Sequence, residues 1–389
     1  MWADLAPVGQ DPRTGGYRRF AWTREDATLR EWFAGEAHRR SMEVVSDRAG
    51  NLWAWTADAD ARPGLVLGSH LDSVPDGGAY DGPLGVVGAF AALDLLDERG
   101  VEPDRPLGIV CFADEEGARF GVACAGSRLL TGALDPDRAR ALTDADGTTL
   151  AQAAGGAVDV DRLGRDDEAL RRVGTFVELH VEQGRGLVHR GVAVGVADSI
   201  WPHGRWRLDL PGRADHAGTT RLADRDDPML RLAAAVLAAR TSAEAHDALA
   251  TIGKVRVEPG GVNAIPSALT AWLDARAPAA AAVRVVVDDV AAASRAVPVE
   301  ESWTGATPFD TYLRERLAAL LATPDGTPAP VLATGAGHDA GILAAAGIPT
   351  AMLFVRNPTG VSHSPHEHAD TADCLAGVEA LARVVAALR

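Results

Sequence analysis

Four short segments carry residues that could hold metal ions and move protons. The first is Gly68-Ser69-His70-Leu71-Asp72, running on through Gly77-Gly78-Ala79-Tyr80-Asp81-Gly82. The second is Asp114-Glu115-Glu116, the third His180-Val181-Glu182-Gln183 and the fourth Val361-Ser362-His363. Imidazole and carboxylate groups together suit a borderline divalent ion such as zinc or manganese. A pair of ions a few ångströms apart needs a carboxylate between them, separate imidazole and carboxylate ligands, and an open position for water. Hydrolysis also needs a general base beside that water. The neighbours Glu115 and Glu116 can point to different sides of a strand end, one as ligand and one as base. Taken singly, each of these residues could cap a turn or face solvent. Their joint placement favours a metal site.

That placement depends on the elements around them. Leu65-Val66-Leu67 reads as a short buried strand ahead of His70. Pro83 to Arg99 reads as a helix, with Pro near its start and Gly100 just past its end. His70, Asp72 and Asp81 therefore sit on a glycine-rich loop between strand and helix. Apolar strands at 107–113, 175–181 and 350–355 lead into the other three segments. If these strands share one parallel sheet, their carboxyl ends converge on the edge where open α/β sheets bind ligands. The expected fold is α/β, a large domain with a central, mostly parallel sheet.

At 389 residues the chain is too long for one ordinary core, so two domains are expected. Strands near 206–210, 250–257 and 268–276 alternate with helices at 227–247 and 279–293, which suggests a small α/β sandwich. After about 304 the patterns of the first domain return. The expected organisation is a catalytic domain in two parts, 1–199 and 304–389, interrupted by an inserted lid and dimerisation domain at 200–303.

A formal net charge of −16 disfavours nucleic-acid binding through phosphate neutralisation. No uninterrupted apolar run has membrane character, and the start lacks a basic region followed by an apolar one, so a cytoplasmic protein is expected. Cys111, Cys124 and Cys374 form no paired framework and read as thiols in a reducing compartment. Cys124 has no base beside it in sequence and reads as a packed thiol.

The motifs GSHLDSVP, GAYDGPLGV, DEEGARF, LHVEQG, GRADHAGTT, VNAIP, LDAR, GAGHDA and VSHSP together resemble the M20 metallopeptidase-like superfamily. More narrowly, they resemble its amidase and carbamoylase branch, which contains allantoate amidohydrolase, N-carbamoyl-L-amino-acid hydrolase and β-ureidopropionase. The resemblance runs from about residue 13 to the end. It implies two divalent ions per subunit, zinc or manganese, with cobalt or nickel as alternatives. His70 and His180 would bind the first ion, Glu116 and His363 the second, and Asp81 would bridge them. Asp72 would orient His70, and Glu115 would be the general base. Gln183 would touch the substrate, and Asn263 and Arg276 would hold its carboxylate. His338 is a weaker candidate on the substrate side. His216 would stabilise the oxyanion, reaching into the other subunit of a homodimer. By the same resemblance, the Asp81–Gly82 peptide would be cis, a costly geometry outside proline.

The implied substrate is a small anionic ureido compound, with allantoate favoured and an N-carbamoyl-L-amino acid as the close rival. An aminoacylase or dipeptidase is a further reading, against which His180 argues. A non-catalytic binding protein is another, against which Glu115 argues. Two stretches depart from the common pattern, Thr219-Thr220-Arg221-Leu222 and Arg356-Asn357-Pro358-Thr359, and both bear on substrate identity.

Overall fold

The computed structural model describes residues 1–388. In chain order its strands are β1 (Glu43–Ser46), β2 (Leu52–Trp55), β3 (Gly64–His70), β4 (Leu107–Phe112), β5 (Val173–Val181), β6 (Val194–Ile200), β7 (His203–Pro211) and β8 (Asp215–His216). They continue with β9 (Leu249–Glu258), β10 (Ala264–Ile265), β11 (Ala268–Arg276), β12 (Val299–Thr304), β13 (Thr307–Pro308), β14 (Val331–Thr334) and β15 (Thr350–Val355). The chain divides into two compact units. One is Met1–Asp198 together with the segment from Pro308 onward, and the other is Ser199–Thr307.

The large unit is built on a mixed sheet whose centre runs β4-β3-β5-β15. Each of these neighbouring pairs is parallel. The flanking pairs β1–β2, β2–β4 and β15–β6 are antiparallel. The central strands read as continuous apolar runs, and β3, β4 and β15 are buried along their whole length. Strands covered on both faces have this character. The helices Pro83–Glu98 and Thr371–Leu388 pack against each other, the first also on β3 and β5 and the second on β15. Phe90, Leu381, Val384 and Val385 join Leu65, Leu67, Leu353 and Val355 in one core. The helix Arg24–Arg39 starts at Thr23, whose side chain accepts from the Asp26 amide.

The small unit is an antiparallel sheet in the order β12-β7-β11-β9. In β11 the residues Leu269, Ala271, Leu273 and Ala275 are buried, and Trp206, Leu208 and Leu210 alternate the same way on β7. The helices Pro228–Ala245 and Ala280–Ser294 pack together over these strands. At the sheet edge β9 is unpaired on one side and exposes Leu249, Val255 and Val257. Among the described residues, no helix is long and apolar enough to cross a membrane, and Cys111, Cys124 and Cys374 are free thiols.

Candidate metal centre

Parallel register brings the chemistry-bearing ends together. His70, the last residue of β3, lies beside Phe112, the last of β4, and Val181 of β5 lies beside Val355 of β15. The segments that leave these ends carry Asp81, Glu115, Glu116 and His363.

Asp81 is the pivot. Its Oδ1 lies 3.2 Å from His180 Nε2 and 3.9 Å from His70 Nε2. Its Oδ2 lies 3.6 Å from His363 Nε2, which is itself 3.5 Å from Glu116 Oε2. One carboxylate thus faces two histidines with one oxygen, and a third histidine and a carboxylate with the other. The groups His70–Asp81–His180 and Asp81–Glu116–His363 are each compact enough to hold an ion.

The donor set fits metal ions on its own chemistry. The Nδ1 of His180 is 2.9 Å from the Val181 carbonyl, and that of His70 is 3.1 Å from the Asp72 carbonyl. A carbonyl only accepts, so both Nδ1 atoms carry the proton and both Nε2 atoms are left to act as ligands. His180 Nε2 and Glu116 Oε1 are buried with no hydrogen-bond partner. Burial lowers the affinity of both imidazoles for a proton, but neighbouring carboxylates overcome it: Glu115 and Asp72 raise His70 well above the usual range, and Asp81 raises His180. Burial raises Asp81 too, and the three histidines outweigh it and hold that carboxyl below the usual range. The cluster therefore demands positive charge at the Nε2 positions. A divalent ion can supply it while displacing protons.

A layer of fixed groups stands behind these side chains. Asp72 accepts from the amides of Glu115 (3.2 Å) and Glu116 (3.0 Å), and its Oδ1 is 3.4 Å from His70 Nδ1. It thus aims both His70 and the Glu115–Glu116 turn. Gly82 takes φ +86° and ψ −58°, a conformation open to glycine. A Cβ there would sit 2.4 Å from His70 Cε1. This backbone turn replaces the expected cis peptide: Asp81–Gly82 is trans, and among the described residues the cis bond is Glu258–Pro259. Gly82→Ala should push the His70 ring aside and weaken metal affinity about 10–100-fold, the range seen when groups that orient a ligand are lost. A competitive chelator titration reads it.

Sequence reasoning missed Glu367. It is buried, its Oε1 accepts from the amides of Tyr80 (2.9 Å) and Asp81 (3.0 Å), and its Oε2 is 3.3 Å from Ser362 Oγ. Burial, with Asp81 adding to it, pushes its carboxyl up to about 7. The only sequence signal was a carboxylate between His366 and His368. Glu367→Ala would strand the buried Asp81 amide at about 1–3 kcal/mol, and the part-buried Tyr80 amide with it. The expected result is a lower melting temperature together with weaker metal retention. Asn357 was also missed as a support. It is fully buried, accepts from the amides of Thr359 and Gly360, and donates to the Val361 carbonyl, so it shapes the loop that delivers His363.

Other expected residues have partners of their own. Gln183 donates its Nε2 to Asp81 Oδ2 (2.9 Å) and to Ser362 Oγ (3.1 Å), which leaves its buried Oε1 as the atom available to a ligand. Glu182 is drawn away from the cluster, because it accepts from the amides of Gly186 and Leu187 at the start of a short helix. His338 is buried beside the candidate ligands, its ring 4.5 Å from that of His180. Glu115 is buried, with Oε2 3.7 Å from His70 Nε2 and Oε1 3.3 Å from Cys124 Sγ. Burial pushes its carboxyl well up.

In the small unit, β8 and β10 place His216 opposite Ala264, and the Asn263 carbonyl accepts from the Ala217 amide at 3.0 Å. His216 Nδ1 accepts from the amides of Gly218 (2.9 Å) and Thr219 (3.2 Å). Its exposed Nε2 is therefore the protonated nitrogen, a donor. Arg276 lies at the far end of β11 and pairs with Asp274 at 2.6 Å. Eight residue steps of strand span about 26 Å, so one copy of this unit does not gather Asn263 and Arg276 into a single carboxylate clamp, contrary to the expectation from sequence.

A family model described as peptidase family M20/M25/M40 matches residues 66–387. The chain is 36% identical to N-carbamoyl-L-amino acid amidohydrolase of Geobacillus stearothermophilus, covering 98% of this chain and 95% of that one. It is 31% identical to allantoate amidohydrolase of Escherichia coli K12, covering 97% and 94%. Among solved structures it is similar to an amidase of the hydantoinase/carbamoylase family from Burkholderia vietnamiensis, with a TM-score of 0.90, 28% identity, and coverage of 99% and 95%.

Proposed function

Because the chain belongs to peptidase family M20/M25/M40 and is an amidohydrolase acting on C–N bonds, we propose that it hydrolyses the ureido group of a small carboxylate, releasing ammonia and carbon dioxide. The observation that carries this reading is Asp81 facing His70 and His180 with one oxygen, and His363 and Glu116 with the other. Two divalent ions, one with His70, His180 and Asp81 and one with Asp81, Glu116 and His363, would supply Lewis acidity toward water and the ureido carbonyl.

The remaining steps belong to the chain. Glu115 Oε2 takes the proton of the attacking water and returns it to the departing nitrogen. His216 Nε2–H donates to the oxyanion. Arg276, held by Asp274, offers its guanidinium fork to the substrate carboxylate, which also explains how an acidic protein holds an anion. Gln183 Oε1 accepts from a ureido N–H.

N-carbamoyl-L-amino acids stand first as substrates, because the relative of that name shares 36% identity over nearly the whole chain. Allantoate stands second, from the relative at 31%. Ammonia release from both substrates in parallel, with a chelated control, decides the matter. Chelator-sensitive turnover of at least one supports the ureido reading and ranks the two. Turnover of acyl-amino acids or dipeptides alone would contradict it.

The assembly we propose is a homodimer in which His216 and Asn263 of one copy serve the site whose Glu115 and Arg276 belong to the other. The length of β11, which separates Arg276 from the turn carrying Asn263, supports it. So does the ten-residue edge strand β9, whose exposed apolar residues need a cover. A mixture of His216→Ala and Glu115→Gln proteins, unfolded and refolded together, should then recover activity that neither has alone. Half the dimers are mixed and one of their two sites is complete, so about a quarter of wild-type activity is expected. No recovery would place His216 in its own subunit's site.

A further inference from the structure

Cys124 stands behind Glu115, and nothing in its sequence surroundings announces this. It takes the left-handed backbone conformation at φ +54°, uncommon for a residue with a Cβ. Its amide donates to the Glu115 carbonyl, and the next two amides, of Ala125 and Gly126, donate to the carbonyls of Asp114 and Ala113. These bonds stitch 124–126 onto 113–115 and bring the thiol to the buried face of the Glu115 carboxylate. There Sγ lies 3.3 Å from Oε1, within reach for a sulfur donor. The other oxygen, Oε2, is the one 3.7 Å from His70 Nε2. The thiol is itself buried, and burial opposes its ionisation, so it keeps the hydrogen it can donate.

We propose that Cys124 is a positioning residue for the hydrolytic base. Its S–H donates to Glu115 Oε1, fixes the rotation of the carboxylate and leaves Oε2 facing the reacting water. The inference rests on the reading of Glu115 as the base. A packed thiol with no such role would fill the same space, so the test must separate donation from volume.

Cys124→Ala removes the donor, and Cys124→Ser replaces it with a hydroxyl on the same Cβ. On the substrate turned over fastest, Cys124→Ala is expected to lower kcat about tenfold with KM unchanged, the size of one hydrogen bond to a charged group. Cys124→Ser is expected to recover most of that loss. An alanine variant equal to wild type would overturn the proposal, and so would a serine variant as slow as alanine. The S–H stretching band, read by Raman spectroscopy on metal-loaded wild type and Glu115→Gln, needs no change at position 124. A thiol bonded to a carboxylate should shift its band to higher frequency when the carboxylate becomes an amide. A band that does not move overturns the proposal. Turnover by Glu115→Gln would instead defeat the reading of the base, so the two failures can be told apart.

Discussion

Glu115→Gln lowers kcat by about 10²–10⁴-fold, the range for a general base, while bound metal stays at the wild-type level. Both halves of that result follow from position. Glu115 is next to Glu116, yet it is Glu116 whose Oε2 lies 3.5 Å from His363, and His363 reaches Asp81 at 3.6 Å. Glu115 lies outside this bridge, with its own Oε2 3.7 Å from His70 Nε2 and its Oε1 on Cys124. Gln preserves the size and an acceptor oxygen and removes only the capacity to take a proton. The amides of Glu115 and Glu116 remain bonded to Asp72, so the turn keeps its shape. A variant that loses metal along with activity would show that Glu115 is a ligand. A variant with wild-type turnover would show that Glu115 is not the base. Single-turnover kinetics with metal analysis on the same sample provides both numbers.

Asp81→Asn has the second large effect, through a different cause. The carboxylate presents one oxygen to His70 and His180 and the other to His363. An amide can offer an oxygen to one side only, and its NH₂ would meet either the histidine nitrogens or the groups around Oδ2, which already receives donors from Gln183 and Ser362. One set of ligands therefore loses its oxygen from position 81 whichever way the amide turns. Metal content should fall by one ion per subunit, and turnover should drop by about 10³-fold, the equivalent of the several kcal/mol that Lewis-acid stabilisation contributes. Full metal content with lost activity would mean that Asp81 does not bridge. The fold should survive, because the Asp81 amide remains bonded to Glu367.

Much of this was legible in the sequence for a simple reason. Leu65–Leu67, Leu107–Phe112, Val173–Val181 and Thr350–Val355 are apolar runs that end in polar groups, and parallel strands deliver such ends to one edge. His70, Asp72, Asp81, Glu115, Glu116, His180, Glu182 and His363 could therefore be gathered as candidates before any geometry, while their division into ligands, orienting group and base was what the family resemblance implied. What escaped lies where loops fold back. Glu367 reaches the Tyr80 and Asp81 amides from nearly 290 residues away, and no local pattern marks that pairing. Cys124 meets Glu115 through a left-handed residue that no period predicts. The Asp81–Gly82 turn is made by glycine's positive φ and not by a cis bond. The separation of Asn263 from Arg276 is different. The strand from Ala268 to Arg276 was visible in the sequence, and its length alone puts its two ends too far apart for one clamp.

The proposed function requires that two ions flank Asp81. A crystal of the zinc-loaded protein, mapped by anomalous scattering at the zinc edge, tests it most directly. Two peaks are expected, one among His70, His180 and Asp81 and one among Asp81, Glu116 and His363. A single peak would contradict it, and so would a peak displaced to the neighbouring group of Glu178, His180 and His338.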